Sequence, residues 1–195
     1  MVDLALLQSV SYIAGALGVC VAAVYYVLVM RMTLQTRQAQ LYMSLLSHWN
    51  SKEFSKMRYD SYRMDWTDLD DYTKKYNPNN NAEIYASMVT FGRSILGLAE
   101  LKRKGLIDLE FLDGMMMNDT LNWWAYFGSM EKERWENGSP GWRSSVPFIM
   151  EVIEYHKKKT PFEFDENGNY KFITTGKPWV KPEEMKILQE KLNIK

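Results

Sequence analysis

The chain has 195 residues and a mass of 22.9 kDa, enough for an anchor plus one domain of ordinary size and short for two independent soluble domains. Its 24 basic and 24 acidic side chains cancel, so no excess field draws nucleic acid from a distance, and no nucleic-acid partner is expected. A content of 46% hydrophobic and 14% aromatic residues excludes a disordered chain, and the lone Cys20 excludes an intrachain disulfide.

From Leu4 to Met30 no side chain is charged. As a helix this run of about 27 residues would measure about 40 Å, more than the roughly 30 Å hydrocarbon core of a bilayer. Residues 1–31 are therefore predicted to form a transmembrane anchor, with the lipid bilayer as its first partner. A cleavable signal peptide is the competing interpretation, because Val21-Ala22-Ala23 resembles a cleavage site. Against it, the first residues carry only Asp3, and the apolar run continues through Tyr25 to Met30. Arg31 and Arg37 follow the span directly, which places the N-terminus outside and the C-terminal domain in the cytoplasm of a single-pass protein of the cell membrane. Ala14, Gly18 and Ala22 recur every four residues and form a small-residue face for helix association, although Ala and Gly are also common in membrane helices by chance.

Residues 32–160 are predicted to form a helical bundle. The anchor continues as helix to Trp49, with Leu34, Leu41, Leu45 and Trp49 on one face. Asn50-Ser51 supplies a break and a cap, and a second helix follows with Phe54, Met57, Arg58 and Tyr62 on a shared face. Asp68 to Asp71 opens a short helical turn that the asparagine run after Asn77-Pro78 ends. Ala82 to Lys104 repeats its apolar residues at helical spacing and stops at Gly105. Asp108 is a candidate cap for a Met- and Trp-rich helix, interrupted at Gly114, and Val146 to Lys158 is another helix with Pro147 in its first turn. Residues 161–195 are predicted to be an extension docked on the bundle. Phe162-Glu163-Phe164 and Tyr170-Lys171-Phe172 alternate about Asn167-Gly168 as a small β-hairpin, and a terminal helix begins at Pro182. The expected class is mainly α.

Three stretches carry a family likeness: Leu34-Gln35-Thr36-Arg37-Gln38-Ala39-Gln40-Leu41 after the span, then Trp49-Asn50-Ser51-Lys52-Glu53-Phe54, then Gly105-Leu106-Ile107-Asp108-Leu109-Glu110 with Trp123 or Trp124 downstream. On these the chain, over about residues 5–155, resembles a family of uncharacterised archaeal and bacterial single-span membrane proteins. The resemblance implies an anchor plus an all-helical domain. It implies no activity, cofactor or catalytic residue.

Read on their own, the chemistry-bearing residues point the same way. His48 and His156 are the whole imidazole supply, and neither has a second His or a Cys at ligand spacing. Asp165, Asn167 and Asn169 copy the start of a calcium loop, but Tyr170 stands where that loop needs Gly and Gly176 where it needs Glu. Met115-Met116-Met117 would point about 100° apart on a helix and cannot converge on one soft metal ion. No nucleophile elbow and no phosphate-cradling glycine loop is present. No cofactor, metal or catalytic residue is therefore assigned. The basic clusters Lys102-Arg103-Lys104 and Lys157-Lys158-Lys159 suit helix C-termini or, if they face the membrane, anionic lipid. Trp123, Trp124, Trp135 and Trp142 are candidate contacts for a partner, since aromatic residues anchor interfaces. The expectation is a non-catalytic interaction protein bound to other membrane subunits or to itself. The alternative is a membrane-bound sensor or enzyme with a site at a helix interface.

Overall fold

A computed structural model describes residues 4–138, 145–171 and 178–192. Seven α-helices follow one another among them: α1 (Leu4–Trp49), α2 (Lys52–Tyr62), α3 (Leu69–Lys75), α4 (Ala82–Arg103), α5 (Met115–Glu136), α6 (Val146–Lys159) and α7 (Pro182–Lys191). The chain divides into two compact units, Met1–Leu46 and Ser47–Lys195. The boundary lies inside α1, well past the Arg31 at which the sequence places the end of the anchor.

The first unit is helix alone. The 46 residues of α1 correspond to a length of about 69 Å, and the helix is long and apolar enough to cross a membrane. No glycine, proline or cap interrupts the passage from the apolar run into the polar sequence after Arg31, which is why the helix does not stop there. Thr33 and Thr36 return their hydroxyls to the carbonyls of Val29 and Met32, each at 2.9 Å, so these polar side chains are satisfied within the helix.

In the second unit local signals set the helix ends. The Ser51 hydroxyl accepts the Phe54 N–H at 3.1 Å and the Asp68 carboxylate accepts the Asp71 N–H at 2.8 Å, giving α2 and α3 side-chain N-caps. Gly105 takes φ of +68° after α4, the left-handed turn that ends helices cheaply only at glycine. Gly114, at φ +94°, separates α5 from the turns after Asp108. The Asp108 carboxylate caps only such a turn, through the Phe111 N–H at 2.7 Å, so the helix begins at Met115.

Packing is arranged around two pairs. α2 lies along α4 and α6 along α5, while α3 and α7 both rest on α5 and α7 also reaches α6. The core is largely aromatic: Trp49, Phe54, Phe91, Trp123, Trp124, Phe127 and Trp135 are all essentially without exposed surface. Met116 and Met117 are buried there as well, which fits the flexible thioether's use as a filler of irregular gaps.

The C-terminal hairpin is not found. Pro161 starts a single 3-10 turn, Pro161–Glu163, where a first strand was expected. The Asp165 carboxylate then accepts the backbone N–H of Asn169 and its side-chain amide, both at 2.8 Å. This closes a wider loop than the two-residue turn that Asn167-Gly168 suggests, and among the described residues only one antiparallel bridge, Phe164 to Tyr170, forms. Phe172 lies outside the described residues. Among the described residues there is no strand. The terminal helix does form, and α7 is tied to α5 by the Lys132–Glu184 ion pair at 2.6 Å and by the Trp124 indole N–H on the Val180 carbonyl at 2.9 Å.

That last contact makes Gly128 critical, because an added Cβ would sit 2.8 Å from Cε2 of the Trp124 indole. Gly128→Ala must displace a fully buried indole, and a loss of about 1–3 kcal/mol in chemical unfolding is expected. Unchanged stability would mean that the ring has room to move.

Candidate functional site

Two regions bear on function: the surface of α1 and a set of buried polar groups in the compact unit. Along α1 the apolar side chains are exposed on every side of the helix, and none of the apolar window is buried. A soluble core helix would be mostly covered. Ala14, Gly18 and Ala22 lie on this exposed surface, and a Cβ added at Gly18 or at the neighbouring Gly15 would meet nothing. Arg31 and Arg37 are likewise exposed. The small-residue face is thus uncovered by the described residues of the chain itself.

The proposed partner tryptophans need correction. Trp123, Trp124 and Trp135 are 1%, 1% and 0% exposed, so they belong to the core and present no ring to a partner. Their spacing follows the buried face of α5, and the aromatic wealth of the sequence is used there for packing. Trp142 lies outside the described residues.

In the compact unit one such polar group is Asp119, at 3% exposure on the buried side of α5. Nη1 of Arg58, from α2, donates to both its carboxylate oxygens at 2.8 Å, and the Trp49 indole N–H donates to Oδ2 at 3.0 Å. One carboxylate thereby joins residues of α1, α2 and α5. Burial still raises its pKa above the ordinary aspartate value, against the pull of Arg58 and of the hydrogen bonds. Beside it Tyr62 stacks on Tyr126 at 4.6 Å, and burial, followed by the Asp119 charge, pushes the Tyr62 hydroxyl well up.

Two further buried acids and bases lie elsewhere in the unit. Glu131 has no exposed surface and receives Arg134 at 2.8 Å, while the Arg134 guanidinium stands 5.6 Å from the centre of the Tyr72 ring. Burial pushes the Tyr72 hydroxyl up to about 12. Near the end of α6, Nε2 of His156 lies 2.5 Å from Glu163, and the Phe164 and Tyr170 rings border the imidazole. Burial, with the Glu163 charge beside it, pushes the Tyr170 hydroxyl up to about 12.

Other candidates take structural places. Asn169 hydrogen bonds hold the Asp165 carboxyl below its usual range, so its oxygens serve the turn. Lys102 pairs with Glu151, Arg103 with Glu100 and Lys159 with Asp113, which ties three of the six clustered cations to the bundle's own carboxylates. His48 is exposed and its ring packs 4.9 Å from that of Phe54. Among the described residues no three His, Cys, Asp or Glu side chains are grouped to hold a metal ion.

The sequence placed Arg58 on one helix face with Phe54, Met57 and Tyr62 but did not find its partner. The available signal was Asp119 itself, a carboxylate between Met116, Met117, Thr120 and Leu121 on an otherwise buried helix face. Glu131, twelve residues further along α5, gave the same signal. No protein-family model, curated protein or solved structure matches the chain.

The Asp119 arrangement has a testable pH signature. A carboxyl with a raised folded pKa binds its proton more tightly when folded, so its stabilising effect is full below the unfolded value and is lost as pH rises through the folded one. Arg58→Met strands the carboxylate and moves that window upward. Its unfolding penalty is expected to reach about 3 kcal/mol near neutral pH and to shrink towards about pH 4. A penalty independent of pH would show that Asp119 is not the buried charge described.

Proposed function

We propose that the chain is a membrane-anchored, non-catalytic interaction protein, serving as an accessory subunit of a larger membrane complex or as a self-associating scaffold. One observation carries this reading: α1 is apolar around its whole circumference and wholly uncovered over the span-length run. A side chain such as Val or Leu left in water forfeits about 1.5–3 kcal/mol relative to burial, so a helix of this kind requires a nonaqueous surrounding. A bilayer fits its length. On this reading the protein crosses the cell membrane once, with the N-terminus outside and the compact unit in the cytoplasm, because Arg31 and Arg37 lie at the cytoplasmic exit. The likeness of residues 34–41, 49–54 and 105–110 to single-span archaeal and bacterial proteins is proposed in the same sense, as a guide to architecture. Its partners are the bilayer and other membrane subunits or further copies of itself.

A second reading, a sensor or enzyme with its site at a helix interface, draws on Asp119, Arg58 and Tyr62 where α2 and α5 meet. The raised pKa values there are of the kind that active sites show, and buried structural ion pairs show them as well. The anchored interaction protein is preferred because its supporting feature has no structural alternative within the chain.

The test begins with protease added to intact cells, which is expected to spare the compact unit. Mild detergent extraction, size separation and mass spectrometry should then find the chain with stoichiometric membrane subunits or with copies of itself. Digestion from outside would reverse the orientation. A lone monomer that persists after mild crosslinking would contradict the interaction role.

A further inference from the structure

On the reading that α1 crosses the membrane, its exit from the hydrocarbon carries charge of one sign only. Between Asp3 and Glu53 the sequence holds no carboxylate, yet Arg31 and Arg37 both follow the apolar run. Both are exposed, and among the described residues neither has a hydrogen-bond or ion-pair partner. In the compact unit, by comparison, the exposed cations Lys56, Lys75 and Arg103 each hold a carboxylate of the chain. An unpaired guanidinium beside a bilayer calls for an anion, and its planar fork of N–H donors suits the oxygens of a phosphate.

Arg37 also borders a groove. This shallow, open groove on α1 is lined by Tyr25, Val29 and Met32 at its N-terminal end and by Thr36, Arg37 and Gln40 at the other. It straddles Met30, where the charge-free run ends. The Thr33 and Thr36 hydroxyls are already given to the carbonyls of Val29 and Met32, so Arg37 and Gln40 supply the free donors of the polar half. Arg37 lies about 10 Å along the axis beyond Met30, and helical side chains lean towards the N-terminus, here back towards the polar layer of the bilayer. Arg31 stands about 120° around the helix from Arg37 and does not line the groove.

We propose that this groove seats an anionic phospholipid of the leaflet through which the helix leaves, with an acyl chain along Tyr25, Val29 and Met32 and the phosphate at Arg37. The order of chemistry along the groove selects that occupant. A lipid presents hydrocarbon first and phosphate second to a helix leaving a bilayer, and the groove repeats this order, apolar and then cationic. A second copy inserted in the same direction would bring its own Arg37 to the same depth, like charge against like. In a zwitterionic lipid the headgroup cation offsets the phosphate, whereas an anionic lipid leaves a net charge for Arg37 to meet.

The full chain, with Cys20→Ala as background, is reconstituted in vesicles of mixed phosphatidylcholine and phosphatidylglycerol. A bimane label at Val29→Cys reports on the groove, and one at Val27→Cys reports on a side of the helix about 160° away. Lipids brominated in their acyl chains quench a label that they touch. At Val29 brominated phosphatidylglycerol is expected to be preferred over brominated phosphatidylcholine by about fivefold, and at Val27 by much less. Arg37→Gln should remove the preference at Val29, whereas Arg31→Gln should leave most of it. Equal preference at both labels, or equal losses in the two arginine variants, would overturn the site and leave only a general attraction to the membrane surface. Quenching at Val27 but not at Val29 would put protein in the groove and overturn the lipid as occupant. Absence of quenching at both labels would refute the anchored reading on which the proposal rests.

Discussion

The apolar surface of α1 has no shelter among the described residues, and this constraint governs everything proposed for the protein. Val10, Leu17, Val19, Val27 and Val29 point around the whole helix, and all are exposed. An amphipathic helix would turn one face to a core and the other to water, but here there is no polar face over a membrane's thickness. The helix also continues: its length of about 69 Å is more than twice the hydrocarbon core, so about half of it lies beyond any single crossing. Within that continuation Arg31 and Arg37 are followed by ten residues, Gln38 to Ser47, that carry no charge.

The compact unit, by contrast, has a core of its own. Trp49, Trp123, Trp124 and Trp135 are spent on the core, three of the six clustered cations meet its own carboxylates, and its C-terminal helix is tied back to α5 through Trp124 and Lys132. Asp119 marks the place where polar chemistry enters the core. Trp49 and Arg58 both converge on it, so the order of α1's last residue and of α2 is set by one carboxylate. Such a group adds little net stability, because its own desolvation opposes it, but a packing that leaves it unpaired costs several kcal/mol. It therefore fixes which arrangement of these helices is the stable one.

The helices were legible because their signals are local. Ser51, Asp68, Gly105 and Pro182 mark ends by backbone chemistry that needs no tertiary context, and the apolar repeat of Ala82 to Lys104 carried its own period. What failed was nonlocal or competed with another local rule. Asn167-Gly168 favours a tight hairpin, but Pro161 and the Asp165 carboxylate redirect the backbone on both sides of it. The Asp119 site could not be read because its three members lie 70 and 61 residues apart in sequence, and nothing in the spacing reveals that they meet. The aromatic cluster on α5 was ambiguous for a physical reason: a tryptophan at an interface and one in a core have the same neighbours in sequence.

Cys20 offers the most direct measurement, because the only cysteine of the chain stands inside the apolar run. In membranes opened so that both faces are accessible, a charged, membrane-impermeant maleimide is expected to leave Cys20 unlabelled until denaturing detergent is added. Rapid labelling before detergent would place the α1 surface in water and contradict a membrane-spanning helix.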